Sequence, residues 1–251
     1  MRKFSAAFLL FLVATAARGE WIEKNSRDED FADARVLYRH VDLQDLDTGK
    51  SAIVDLAIFS AKSCKLRMID NAEDGNNLMN AMRLANCIAG VNGGYFDTNF
   101  APLGLRVVDG KTTSRLSRGH LMSGVLASNG SVQILRLAEF SRSKKWSAAV
   151  ECGPFLVDLA RPVRGLEATR SARRTIAAVG SGDRAALGYC PGATLADLGK
   201  ILATPLGDFK IQRALNLDGG SSSAFYFKGE RGLFLYPEEK TVRDFVGIVS
   251  K

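Results

Sequence analysis

One carboxylate and three hydroxyls stand on glycine-loosened chain in Asn216-Leu217-Asp218-Gly219-Gly220-Ser221-Ser222-Ser223. Apolar, β-prone runs lead into this octet at residues 210–217 and out of it at residues 224–227, which predicts a tight turn or strand-end loop between two strands. A Gly-Gly pair admits φ > 0 and lets a ligand approach the main chain with no Cβ in the way. A carboxylate beside open N–H groups and hydroxyls suits general-base or nucleophilic chemistry on an anionic or hydroxyl-rich ligand. The same residues also suit a plain hairpin in which Asp218 caps its own backbone and the serines are solvated.

Three other segments share this grammar. Val91-Asn92-Gly93-Gly94-Tyr95-Phe96-Asp97 follows an apolar run with a Gly-Gly pair, two aromatics and a carboxylate. Glu151 precedes Cys152-Gly153-Pro154, a turn opening a strand, and Ser171-Ala172-Arg173-Arg174-Thr175 leads into a fourth strand-like run. In this order the four resemble the phosphodiester glycosidase family over residues 88–249. The chain departs from that family's pattern in two places. Ser221 stands where a third glycine is common, and Arg173-Arg174 replaces a single arginine, of which Arg174, next to Thr175, fits better.

The resemblance implies hydrolysis of the bond between an anomeric carbon and a phosphate oxygen in a sugar-1-phosphodiester, with N-acetylglucosamine as the candidate sugar. The leaving group there is already a stable anion, so holding the phosphate and stabilising an oxocarbenium-like centre matter more than protonation. Asp218 is the first choice for the catalytic carboxylate, and Asp97 and Glu151 are weaker candidates for a second. Arg173, Arg174 and Thr175 suit the phosphate, since a guanidinium fork matches two of its oxygens. Asn216, Gly219, Gly220, Ser221 and Ser222 would line the substrate, with Gly93 and Gly94 in the second loop. Asn92 binds a sugar hydroxyl or pins its loop, and Tyr95 and Phe96 stack on a sugar or pack in the core. No cofactor or metal is required.

Other chemistries find little support. His40 and His120 are the only histidines, and no G-x-S-x-G elbow serves Ser222. The acidic run Asp42, Asp45, Asp47 lacks the glycine and terminal glutamate of a calcium loop and reads as a solvated turn. Walker and Rossmann glycine patterns are absent, and no basic-aromatic interleaving marks a nucleic-acid surface. Rival functions are a non-catalytic carbohydrate- or envelope-binding protein and a hydrolase of another exopolysaccharide or peptidoglycan bond.

The elements that must position these residues sit in one expected domain, residues 20–251, behind a secretory signal at residues 1–19 with Arg2 and Lys3 before an apolar core. Export implies a secreted or periplasmic protein, with no stable membrane insertion after cleavage. The formal charge of +7 falls to +4 without Arg2, Lys3 and Arg18, a mild bias toward anions such as a phosphate-linked glycan or cell-envelope polymer. An oxidising compartment predicts at least one disulfide among Cys64, Cys87, Cys152 and Cys190. Residues 21–34 read as a charged, irregular lead-in, residues 51–59 as a strand with residues 65–69 as its partner, and residues 77–88 as a helix with Leu78, Met82, Ala85 and Ile88 on one face. Short strands recur beyond residue 105, and Thr194 with Asp197 caps a second helix. The fold class is α+β, a mixed, mostly antiparallel β-sheet core with a few flanking helices.

Overall fold

The computed structural model describes residues 20–31, 36–73, 75–119 and 121–251; the expected secretory signal at residues 1–19 and His120 lie outside the described residues. Three antiparallel sheets make the fold. The largest runs in the order Trp21–Phe31, Val36–Asp45, Ser51–Ser60, Arg184–Ala193, Ala172–Gly180, Ile211–Asn216, Phe155–Asp158, Arg161–Pro162. A second joins Lys111–Ser114, Arg106–Val108, Ala148–Cys152, Gly124–Ser128 and Val132–Arg136. The third joins Leu233–Tyr236, Phe225–Lys228, Ala89–Asn92, Asp244–Ser250 and Cys64–Asp70. Half of the chain is strand and 8% helical, so α+β describes it loosely and β-rich describes it better.

The main core lies where the three sheets face one another, with Phe59, Phe155 and Leu187 of the first, Val150 and Ile134 of the second and Val91, Phe225 and Val246 of the third. The opposite face of the large sheet is covered by α2, Leu195–Ala203. Thr194 caps α2 by accepting a hydrogen bond from Asp197 N, and Leu198, Ile201 and Leu202 pack with Leu56, Ile58 and Ile176. The shorter α1, Leu78–Leu84, lays Leu78, Ala81 and Met82 on Tyr226 and Phe245 of the third sheet. It ends before the predicted boundary because Asn86 turns the chain at φ 56° and delivers it into the strand Ala89–Asn92.

Four further sequence expectations are corrected. Residues 21–31 form an eleven-residue strand paired along its length with Val36–Asp45. Most of its residues are half or fully exposed, so it lacks the alternating apolar pattern that would reveal it. Residues 65–69 pair with Asp244–Ser250, while Ser51–Ser60 pairs with Val36–Asp45 and Arg184–Ala193. The four cysteines form no disulfide; all are buried, three on separate strands and Cys87 in the loop after the helix Leu78–Leu84. The acidic run divides: Asp42 lies within the strand Val36–Asp45, the buried Asp45 ends it, and Asp45 Oδ1 accepts from Asp47 N and Thr48 N in the turn that follows.

The close seat of α1 makes a specific demand on Gly90. A Cβ there would meet Met82 Sδ at 2.1 Å and the carbonyl oxygen of Val246 at 2.9 Å. Gly90→Ala should therefore lower stability in urea unfolding by about 1–3 kcal/mol through overpacking, whereas an alanine at exposed Gly75, which has nothing within 4 Å, should change it far less.

Candidate active site

Two strand ends carry the glycine loops toward each other. Asn92 closes the strand Ala89–Asn92 and Asn216 closes Ile211–Asn216, next to Ile176 of the strand Ala172–Gly180. The fully buried Asn92 uses its whole amide as a clamp: Nδ2 donates to Asp218 O at 2.8 Å, and Oδ1 accepts from Thr175 Oγ1 at 2.7 Å and Ala224 N at 3.0 Å. Main-chain bonds complete the stitch, from Asp218 N to Gly93 O and from Leu217 N to Thr175 O. Asn92 and Thr175 thus spend these polar atoms on holding the loop.

Below the stitch lies an ion pair that the sequence did not reveal. Arg106 and Asp244 are 2% and 3% exposed, and Arg106 Nε donates to Asp244 Oδ2 at 2.6 Å. The other carboxylate oxygen accepts from Gly94 N at 2.8 Å, while the guanidinium also reaches the carbonyl oxygens of Tyr95, Leu105 and Glu151. This explains the first Gly-Gly pair: a Cβ on Gly93 would fall 1.8 Å from Asp244 Oδ1, and one on Gly94 would fall 2.2 Å from Arg106 Nη2. The signal available in the sequence was Arg106, a lone charge within the apolar run Leu105-Arg106-Val107-Val108, a pattern that demands a buried partner; Asp244 follows Arg243 at the head of its strand and gave no such signal.

Asp218 stands partly buried above this pair. Burial is the main force raising its pKa above the ordinary aspartate value; Ser222, Lys240 and Gly219 N–H pull it down, and Asp244 adds an upward push. Ser222 Oγ leans toward the carboxyl without a well-formed hydrogen bond, and among the described residues Ser222 Oγ, Ser223 Oγ and Asn216 Oδ1 are buried polar atoms without partners. An unpaired buried polar atom costs about 1–3 kcal/mol, so three of them around one loop mark a place built to receive polar groups. Of the second glycine pair only Gly220 uses positive φ, at +67°. Gly219 serves close approach: a Cβ there would crowd Arg173 O at 3.2 Å, and Arg174 Cδ and Nη1 would lie 3.9 Å from it.

The doubled arginine divides its labour. Arg174 is buried, with Nε donating to Ala193 O and Nη2 to Arg170 O, while Nη1 makes no hydrogen bond to the described residues. Arg173 turns the other way and ties Ser223 O, Pro237 O and Glu239 into a strap across the serine turn, where Glu239 N also donates to Ser221 O. Tyr95 bridges the two loops, donating to Gly153 O at 2.7 Å and accepting from Asn216 Nδ2. Its hydroxyl titrates far above the usual tyrosine range, chiefly through burial and then through Cys152 and Asp218, with Asn216 and Arg174 easing it.

The remaining candidates hold structure. Asp97 Oδ1 accepts from Asn99 N and Ala101 N, closing its own turn. Glu151 is fully buried and its Oε2 accepts from Leu105 N and Ser117 N. Phe96 packs edge-on against Phe100 and lies under Lys240. Burial pushes the nearby Cys152 thiol up to about 12, which removes it as a nucleophile. No group of three or more His, Cys, Asp and Glu among the described residues could hold a metal ion.

Two outcomes follow from this geometry. A raised carboxyl pKa means that the folded state keeps a proton the unfolded chain has lost, so stability declines as pH rises from the unfolded value through the folded one and stays reduced above it. Asp218→Asn escapes that decline and should melt higher than the wild type at pH 7, by about 2–4 °C for each kcal/mol, with the gap closing in acid; a lower melting temperature at pH 7 would contradict the assignment. Asp244→Ala, which strands a buried guanidinium, should cost about 3–5 kcal/mol in denaturant unfolding.

Comparison with known proteins places the chain in a family. The sequence model of the phosphodiester glycosidase family matches residues 85–249. Among solved structures, a hypothetical protein from Synechocystis superposes with a TM-score of 0.65 at 15% identity, over 86% of this chain and 62% of that one. This chain therefore spans less than two thirds of that neighbour. The zebrafish N-acetylglucosamine-1-phosphodiester alpha-N-acetylglucosaminidase catalytic domain, auto-inhibited by its pro-peptide, gives 0.64 at 16% identity, over 92% and 89%. A Burkholderia pseudomallei protein described as exported gives 0.56 at 13% identity, over 80% and 75%. At such identities the structural likeness concerns the fold, and no curated protein matches. The family match covers more than half of the sequence, and the chain belongs to the phosphodiester glycosidase family.

Proposed function

We propose that the protein is an exported hydrolase that releases a sugar, N-acetylglucosamine, from a sugar-1-phosphodiester in a glycan or cell-envelope polymer. The observation that carries this reading is a partly buried Asp218 carboxyl whose neighbour Gly219 lies against Arg174, where Nη1 makes no hydrogen bond to the described residues. In the proposed reaction Arg174 holds the phosphate, and Asn216, Ser222 and Ser223 supply the polar contacts their unpaired atoms lack. The Asp218 carboxylate acts on the sugar side as general base or nucleophile. The bond between C1 and the phosphate oxygen breaks with its electron pair leaving on the phosphate, water supplies the new C1 hydroxyl, and the proton passes through the carboxylate to solvent. Fixed donors at the leaving phosphate need no reorganisation during the step, which is the main source of rate in such a site.

The N-acetylglucosamine choice draws on the name of the zebrafish neighbour. Export draws on the layout of residues 1–19 and on the description of the Burkholderia pseudomallei neighbour. No helix among the described residues is long and apolar enough to cross a membrane.

The test is release of free sugar and methyl phosphate from the methyl diester of N-acetylglucosamine 1-phosphate, followed by NMR. Asp218→Asn should lower kcat by about 10²–10⁴-fold, and Arg174→Lys should lower kcat/KM by about 10–100-fold through loss of a charge-assisted contact. The acidic limb of the wild-type pH profile should lie above that of an ordinary aspartate, because the working form is the carboxylate and its pKa is raised. Saturable binding of such diesters without turnover would leave a carbohydrate-binding protein instead.

A further inference from the structure

A groove of about 890 Å³ opens along the sheet that carries Arg106. Arg115 stands on one side, just past the strand Lys111–Ser114, and Arg142, Lys144 and Lys145 stand on the segment leading to Ala148–Cys152. All four are exposed, none forms an ion pair with the described residues, and no Asp or Glu lines the groove. The acids that flank these segments are engaged elsewhere, Asp109 by Arg67 and Glu139 by Arg213. Four uncompensated cations around one concavity raise the local potential and gain free energy from a polyanion that displaces their counterions.

One stretch of chain joins this groove to the Asp218 site. Arg115 lines the groove, Ser117 N donates to Glu151 Oε2, and Leu121 O presses on Gly153, where a Cβ would stand 2.2 Å from it. Gly153 O in turn accepts from Tyr95 and Asn216. Glu151 also pins Leu105 of the groove floor, so groove and site share one rigid support. The floor does not offer a stacking platform: Trp146 is 6% exposed, covered by Phe140 at 5.6 Å and by Lys144 at 4.4 Å. Charge spaced along a chain, rather than bases to stack, is what the surface fits.

We propose that this groove is a second binding site, which takes the polyanionic run of the substrate beyond the scissile phosphate: a glycan with a phosphodiester at each repeat. The proposal rests on the phosphodiester glycosidase reading above and names its substrate as a polymer rather than a small diester. The groove cations hold the chain while Asp218 and Arg174 act on its sugar-1-phosphate linkage.

The experiment compares the mature protein with a variant carrying Arg115→Gln, Arg142→Gln, Lys144→Gln and Lys145→Gln. Turnover of the methyl diester should be unchanged, which also reports that the variant folds. Binding of an oligomeric glycosyl-phosphate chain, measured in the Asp218→Asn background to prevent hydrolysis, should weaken at least about tenfold with a shallower salt dependence. A neutral glycan of equal length should not bind. Unchanged oligomer binding in the variant overturns the proposal, as does equally tight binding of duplex DNA of matched charge. Absence of turnover on every substrate would instead defeat the enzymatic reading, while groove binding is still scored separately.

Discussion

The buried Arg106–Asp244 pair is the constraint on which the site depends. Two charges that are 2% and 3% exposed can stay in a protein interior only with every oxygen and N–H directed at a partner. Here the carboxylate takes one guanidinium and one backbone N–H, and the guanidinium takes carbonyl oxygens from three separate stretches of chain. Each of those bonds fixes a loop. Gly93 and Gly94 are glycines because the pair fills the space their side chains would occupy.

What the pair fixes, Asn92 transmits. Its amide couples the loop after residue 92 to Asp218, Thr175 and Ala224, so the catalytic candidate rides on a fully hydrogen-bonded frame while its own carboxyl is kept partly out of water. Stability and function pull in opposite directions within a few ångströms. Asn92 satisfies its amide, whereas Ser222 Oγ, Ser223 Oγ and Asn216 Oδ1 near Asp218 have no hydrogen-bond partner among the described residues. The basic groove extends the same logic outward, since Glu151 braces both it and the loop at Gly153.

The glycine-bearing loops were legible because their chemistry is local: strand, polar residue, Gly-Gly and hydroxyls sit within a few residues of one another. The cap of α2 by Thr194 and Asp197 was legible for the same reason. Arg106 and Asp244 were not, because Arg106 looks like an interruption of an apolar strand and Asp244 like one more residue of a charged turn until the two are seen together across 138 residues. The strand Trp21–Phe31 hid behind its charges, and the disulfide expectation followed from compartment rather than from any geometric match among the cysteines. The sequence favoured Arg174 by its place beside Thr175; the frame shows why, since Arg173 is spent on the strap and Arg174 keeps a free edge.

The central claim is that Arg174 and Asp218 face one anionic sugar. A crystal structure with a non-hydrolysable N-acetylglucosamine 1-phosphonate ester tests it most directly. The account predicts phosphonate oxygens at hydrogen-bond distance from Arg174 Nη1 and the anomeric carbon within reach of the Asp218 carboxylate. A ligand seated elsewhere, or bound there with the Asp218 carboxyl turned away from the sugar, would contradict it.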